Sequence, residues 1–530
     1  MDTGSRQTIH GLSSSHWPII LILFIAAACR LNNITQPFVD DNAWRESSVA
    51  MMAQNFYSES WNIFYPEVNW VGPGPGYQGR EFQTVSYITA ILYTFFGQHD
   101  WVGRSVVVAF ALLGVFALYQ LILRVWGDQR AIVAAALMAL LPGVVRVERS
   151  FLPDPAMVAL VVTSFWMLVA YLQTDRPRYL VLALLIGTLG NLTKLPGMIV
   201  GLPMAYAAVS ILRQRRALRP KKIALLASAG LLSALPVAAY YIWARHLSLS
   251  YPPYHFAGEG NWLWDQGLRS WVEQGYFLPR LWKPLTVLWS LPVLALLLIG
   301  FLSPVFTRNN SAEKSQAPWL FHWWVAAGVI YYLIGARELV ENPSNLHIIS
   351  PAVAALSADA IVAASSFAAR QARRPALTLI FAAVIIVAVG LWGLRRSRIH
   401  SSYAEQSYEL GLGLRSVSRS GDLVVAAGNM IGCPVAIYYS GRRGWLFPPY
   451  QDIKDWENLP AEAEAIEIFE RLRGEDAKWF GIVNERKDSV WKYQPGFARH
   501  IESTCELVQT NDDATIYRIL TPEEVARLRK

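Results

Sequence analysis

Apolar runs of about 20 residues, broken by basic, Gly-rich or Pro-rich stretches, recur from residue 21 to residue 393. A run of that length, wound as a helix, matches the hydrocarbon thickness of a bilayer. The pattern predicts a polytopic membrane protein. Spans are expected near 17–31, 105–124, 131–146, 156–173, 179–193, 196–212, 223–243, 284–302, 319–335, 347–368 and 376–394. Basic clusters at 124–130, 176–178, 213–222 and 370–374 separate them, and Lys/Arg excess marks the cytoplasmic side. These clusters agree with about eleven spans that begin inside and end outside. Arg395, Arg396 and Arg398 then lie outside, as a long translocated domain tolerates. The 17–28 run lacks a convincing cleavage site and reads as an uncleaved first span.

The stretch 84–97 is apolar for about 14 residues, too short to span comfortably. If it crossed, every later basic cluster would invert, so it is expected to lie on the outer surface. Residues 42–57 read as a second surface helix. Three outer segments follow: residues 32–104, residues 244–283 and the polar tail. The fold class is mainly α, with a membrane domain over 1–394 and an extracytoplasmic α/β domain over 395–530. In the tail, 422–427 and 479–483 read as strands, 461–473 as a helix, and 505–509 with 514–520 as a hairpin.

Composition supports the membrane reading. The 530 residues are 53% hydrophobic and 16% charged, with a mean hydropathy of +0.27. Collagen-like, disordered and disulfide-scaffold classes do not fit these figures. The net charge is +8; residues 395–530 hold 19 Lys+Arg against 20 Asp+Glu, so the excess, 28 against 19, belongs to the membrane part. That is the orientation signal of cytoplasmic loops and does not imply nucleic-acid binding. Cys433 and Cys505, of three cysteines, both fall in the tail. A bridge between them is feasible in an oxidising compartment, as are two small buried thiols that never meet.

Charged residues at span boundaries carry the candidate chemistry. Asp40 and Asp41 follow the first span in Phe-Val-Asp-Asp-Asn-Ala-Trp-Arg-Glu. Adjacent carboxylates at a membrane boundary suit a general base with a partner or a divalent cation; a solvated helix cap is the plainer alternative. Asp154 stands between Pro153 and Pro155, either as a positioned carboxylate or as a helix cap with Pro155 in the first helical position. Lys194, at a turn between two apolar runs, either snorkels or binds an anion, which at that depth is a lipid phosphate. His347 opens a later span behind Arg337, Glu338 and Glu341; it completes a site or is an ordinary interfacial histidine. The aromatic stretch holding Tyr254, His255, Trp262, Trp264 and Trp271, with Glu259, Asp265 and Arg269 interleaved, is a membrane-surface belt or a substrate groove. No zinc-ligand spacing, Walker loop, nucleophile elbow or dinucleotide fingerprint is present in the sequence.

Taken in order, an outer acidic pair, a Pro-Asp, a Thr-Lys and a His-x-x-x-Pro resemble the protein O-mannosyltransferase/aminoarabinose-transferase superfamily, GT-C glycosyltransferases of family 39 and its relatives. The resemblance covers residues 17–394, with Glu81-Phe82, Gly97 and Arg104 also at family-like positions. The family has Asp-Glu where this chain has Asp40-Asp41. The resemblance implies a GT-C fold and an inverting enzyme that moves a sugar from a polyprenyl-phosphate donor to an extracytoplasmic lipid, polysaccharide or protein acceptor. It implies Asp40 as general base, Asp41 and Asp154 beside it, and Lys194 on the donor phosphate. Glu81, His347, Tyr254, His255 and Arg269 would bind substrate, and a divalent metal on Asp40, Asp41 and Asp154 is possible. A transporter or flippase would instead place charges at mid-span, where Asp359 is the main acidic candidate. A non-catalytic polyprenyl-phosphate-binding protein would need Lys194 but neither Asp40 nor Asp154.

Overall fold

The computed structural model describes residues 16–256, 262–276, 279–306, 315–374, 377–396, 402–449 and 460–528. Helix α1 (Trp17–Leu31) leads into an irregular loop and two short helices, α2 (Ala43–Ser58) and α3 (Thr84–Phe96). Then come α4 (Asp100–Trp126), α5 (Asp128–Leu140), α6 (Pro142–Arg149), α7 (Pro153–Thr174) and α8 (Pro177–Thr193). A 3-10 turn (Leu195–Val200) precedes α9 (Gly201–Gln214), followed by α10 (Pro220–Ser250), α11 (Leu263–Glu273), α12 (Pro279–Trp289), α13 (Leu291–Phe306) and α14 (Leu320–Glu341). A second 3-10 turn (Pro343–Ile349) leads to α15 (Ser350–Gln371) and α16 (Thr378–Arg396).

Each expected span falls on one helix or a consecutive helical pair. Among the described residues, five helices are long and apolar enough to cross a membrane, or seven spans with each bent pair counted as one. Length and composition therefore do not reach eleven; α1 and α16 are apolar but short. The chain is an integral membrane protein. Helix α3, 13 residues and about 20 Å long, packs on α2 and α4, as its shortness requires. Helix α7 lies buried along nearly its whole length between α4 and α8. It separates Asp154 at one end from a basic cluster at the other, where Asp175 pairs with Arg215 and Lys222.

Two bends shape the bundle: 64° between α5 and α6, and 94° between α12 and α13. The first occurs where Pro142 starts a new helix, because proline cannot accept the preceding helical register. Arg30 fills the gap. It is fully buried, pairs with Glu148 on α6 through Nε at 2.9 Å, and donates to the carbonyls of Ala139 and Met138 at the end of α5. His347 Nε2 lies 3.2 Å from the same carboxylate.

The tail forms the small α/β unit: α17 (Glu405–Val417), β1 (Leu423–Ala427), α18 (Val435–Ser440), β2 (Gly444–Leu446), α19 (Glu462–Gly474), β3 (Ala477–Val483), α20 (Asn484–Tyr493), α21 (Pro495–Thr504), β4 (Cys505–Thr510), β5 (Ala514–Ile519) and α22 (Pro522–Leu528). The sheet order is β2-β1-β3-β5-β4, with β1 parallel to β2 and β3, and β5 antiparallel to β3 and β4. Its strands and final hairpin stand where alternation placed them; three-residue β2 was too short to leave a pattern. The unit sits on the 59–80 loop: Gly72 N donates to Gly444 O at 2.7 Å and Arg443 pairs with Glu67 at 2.7 Å. At Gly72, with φ +96, a Cβ would come within 2.7 Å of the Trp445 indole, so only glycine fits. The feasible disulfide is not formed. Cys433 and Cys505 are free thiols in separate apolar clusters.

Removing one partner of a buried ion pair strands the other charge, at a cost of about 3–5 kcal/mol. Arg30→Met is expected to destabilise the detergent-solubilised protein by that amount, and Arg30→Met/Glu148→Gln to recover a large part. Thermal or denaturant unfolding of both variants checks this.

Candidate functional site

Lys194 ends α8 in an extended conformation (φ −163, ψ 130), and the 3-10 turn that follows carries it back toward α7. Gly197 permits that turn: a Cβ there would approach Asn191 Oδ1 at 2.8 Å and Val161 at 3.0 Å. The ammonium then meets both oxygens of Asp154, at 2.8 and 2.9 Å, and Asn345 Oδ1 at 2.5 Å. Helix α7 starts at Pro153, two residues earlier than the capping alternative expected, so Asp154 stands in its first turn, where a carboxylate is favoured by the helix dipole. Asn345 Nδ2 donates to Glu338 Oε1 at 2.9 Å, which turns its carbonyl oxygen toward Lys194.

These groups line a cavity of about 240 Å³ with Asn42, Trp44, Arg45, Arg80, Glu81, Tyr241, His255, Trp262 and Tyr331. Glycine places part of its rim: at Gly79 a Cβ would lie 2.3 Å from the Ala244 carbonyl of α10, and the close approach seats Arg80 and Glu81 beside that helix. Glu81 pairs with Arg45. Burial alone would raise its carboxyl, but Arg45, Lys194 and Arg80 outweigh burial and hold it down at about 2. Burial, with Arg80 and Arg45 nearby, pushes the His255 imidazole down to about 3. At neutral pH His255 is uncharged, able to donate and accept one hydrogen bond each.

Four expected site residues therefore share one cavity: Glu81, Asp154, Lys194 and His255. Asp40 and Asp41 stand just beyond it, next to the lining residue Asn42. Asp40 is buried, accepts from Gln36 Nε2 at 3.2 Å and faces Arg149 at 3.7 Å; Asp41 is half-exposed and pairs with Arg146 at 3.0 Å. The capping alternative does not hold, because α2 is capped at Asn42 without a side-chain bond. His347 is fully buried in the Arg30–Glu148 cluster, with Ser350 Oγ 3.2 Å from Nδ1, and does not line the cavity. Tyr254 is exposed, as is Arg269, which pairs with Glu273 on its own helix; neither lines it. Glu259 lies outside the described residues. Asp359 is held by Arg130 at 2.5 Å and Ser303 at 2.7 Å.

The carboxylates do not fit a shared divalent metal. Asp154, Asp41 and Asp40 each face a different cation, and among the described residues no three His, Cys, Asp or Glu side chains converge for one. Sequence reasoning missed Arg45, Arg80, Tyr241, Tyr331 and Asn345. The signal for the two arginines was present: each stands beside an acidic residue in an aromatic outer segment, Trp-Arg-Glu and Gly-Arg-Glu.

A family model described as dolichyl-phosphate-mannose-protein mannosyltransferase matches residues 84–243, which include α3, α7, Asp154 and Lys194. The structure superposes on ArnT from Cupriavidus metallidurans bound to undecaprenyl phosphate with a TM-score of 0.64, at 12% identity, over 96% of this chain and 99% of that one. The putative mannosyltransferase YkcB of Bacillus subtilis is 27% identical over 226 residues, 42% of this chain and 30% of YkcB. The chain has the GT-C fold. A further likeness is to the oligosaccharyltransferase AglB from Archaeoglobus fulgidus in complex with an inhibitory peptide and a dolichol-phosphate, with a TM-score of 0.58, 13% identity and coverage of 96% and 75%. The matched stretch spans about a third of the length of the curated relatives.

A buried carboxylate whose folded pKa is depressed stabilises the protein above its unfolded value, and that contribution is lost as pH falls through the folded value. Glu81, moved from 4.5 to about 2, contributes about 3 kcal/mol by this linkage, fully present above about pH 4.5 and gone below about pH 2. Glu81→Gln is expected to lower stability at pH 7 by that order and to flatten the acid limb between those pH values. Unfolding midpoints across that range measure both.

Proposed function

We propose that this GT-C protein transfers a sugar from a polyprenyl-phosphate donor to a hydroxyl of an extracytoplasmic acceptor, with inversion. One observation carries the reading: Lys194 stands where an apolar groove and a charged cavity meet. The groove, about 490 Å³, runs between α7, α8, α9 and α10 and reaches Asn191 and Gly197, while the cavity begins at Lys194, Leu195 and Pro196. An amphiphile with an isoprenoid tail and a phosphate head suits that junction, the tail replacing lipid contacts and the head meeting Lys194, Arg45 and Arg80. The ligands named with ArnT and AglB, undecaprenyl phosphate and dolichol-phosphate, support the same class.

In the reaction the acceptor oxygen attacks the anomeric carbon on the face opposite the phosphate. The carbon–oxygen bond to phosphate breaks and its electron pair leaves with the phosphate. Lys194 and the two arginines neutralise the charge that develops there, an effect strongest in a site shielded from water. The hydroxyl proton passes to Asp40, whose loop borders the cavity through Asn42. Arg149, 3.7 Å from Asp40, faces that carboxylate from the start of the turn into α7. The basic clusters at the far end of α7 support an extracytoplasmic cavity by the positive-inside rule. Sugar and acceptor identity lie in contacts with the bound substrates.

The test separates base from phosphate site. Asp40→Asn is expected to cut turnover at least about 100-fold with polyprenyl-phosphate binding retained, and Lys194→Gln to weaken that binding at least about tenfold. Transfer assays with a polyprenyl-phosphate sugar, together with direct binding of polyprenyl phosphate, read the two. Near-normal turnover of Asp40→Asn would move the base to Asp41, and unchanged binding by Lys194→Gln would remove the donor assignment.

A further inference from the structure

We infer that the C-terminal α/β unit is part of the active site, and that Tyr439 on α18 is the residue through which it positions the Asp40–Asp41 loop. The loop between α1 and α2 has no regular structure, so its backbone groups need partners from elsewhere. From the membrane side, Arg104 on α4 donates to the carbonyls of Ile34, Gln36 and Pro37 and stacks over the Phe38 ring at 4.8 Å. The next groups along the chain are held from the α/β unit. Phe38 N–H donates to the Tyr439 hydroxyl at 2.6 Å, and Ala404 N–H donates to Val39 O at 2.9 Å. Past the carboxylates, Ala43 packs into a cluster with Ala404, Cys433 and Val435. Both flanks of Asp40–Asp41 are thus fixed by residues more than 350 positions away (Phe38 to Tyr439 spans 401).

The Tyr439 hydroxyl has a defined polarity. A carboxylate only accepts, so the hydroxyl hydrogen must go to Asp100 Oδ2, 2.6 Å away, and its lone pair is left for the Phe38 amide. Tyr438 donates to Asp100 Oδ1 at 2.7 Å but makes no bond to the loop in this arrangement. The two neighbouring tyrosines therefore differ in one respect that matters: Tyr439 relays the anchor at Asp100 to the backbone two residues before Asp40, and Tyr438 ends at the anchor. Asp100 in turn opens α4, one turn before Arg104, so both halves of the clamp share one helix end.

The inference rests on Asp40 as the base, and its test keeps the two apart. In the full-length protein, Tyr439→Phe is expected to lower kcat about tenfold at unchanged KM for the polyprenyl-phosphate donor, because positioning is lost while phosphate capture is not. Hydrogen exchange of the Phe38 amide should rise in the same variant. Tyr438→Phe should leave both near wild type. Tyr439→Phe/Asp40→Asn should be no slower than Asp40→Asn alone, since a misplaced base and an absent one cost the same step. Wild-type kcat in Tyr439→Phe, or losses that multiply in the double variant, would overturn the positioning role. If Asp40→Asn itself turns over normally, the base assignment fails, and exchange alone decides: an unprotected Phe38 amide sustains the clamp and an unchanged one ends it.

Discussion

Glu148 cannot be taken out of water alone. A carboxylate buried without a counter-charge costs several kcal/mol even after relaxation, and in a bilayer no solvent remains to relieve it. Arg30 answers that constraint, and the segment carrying Glu148 then ties much of the site end together. Within nine residues it gives Arg146 to Asp41, Glu148 to Arg30, Arg149 to Asp40, Ser150 to Asn42, and the Phe151 amide to Glu46. Its last member, Asp154, holds Lys194. The break at Pro142 is what turns this segment across the bundle end instead of along a span.

The cavity that results has Arg45, Arg80 and Lys194 set against Glu81, Asp154 and Glu338. Such balance lets three cations stand close together without a ligand. On the proposed reading, a phosphate entering beside Lys194 competes with Asp154 for the ammonium and with Glu81 for Arg45. The arrangement is then preorganised for an anion, because the cations are already oriented and only their partners change. His255, kept neutral by burial and the arginines, adds a polar group to that wall without adding a fourth charge.

Much of this was legible from the chain. Apolar run length located the helices, and the shortness of 84–97 marked α3 as a helix below spanning length. Asp154, Lys194, Glu81 and His255 were recognisable because each is an ionisable group at the edge of an apolar or aromatic run. The partners were not legible. Arg30 reads as a basic residue closing a span, and nothing local tells that it reaches Glu148, 118 positions on. His347 carried the same local signal as Lys194, yet its neighbours in space direct it into the Arg30 cluster, because the 3-10 turn holding it packs against α6 and α7. Asn345, two residues earlier on that turn, reaches the cavity instead. The Cys433–Cys505 bridge did not form for a related reason: residues in one domain can belong to separate apolar clusters.

The division between membrane and tail domains, clear in composition, does not coincide with the division of labour in the structure. The membrane part supplies the cations, from α2, the 59–80 loop and the turn after α8, and the apolar groove, from α7 to α10. The acidic loop between α1 and α2 has no regular structure, so its backbone groups have no helix to satisfy them. Arg104 satisfies three of its carbonyls and no more, since a guanidinium has donors only. An amide such as Phe38 N–H needs an acceptor, which Arg104 lacks, and the tyrosine of the tail provides it. A polar, soluble-looking domain is therefore well suited to that position: it contributes acceptors and donors that an apolar helix does not have to spare.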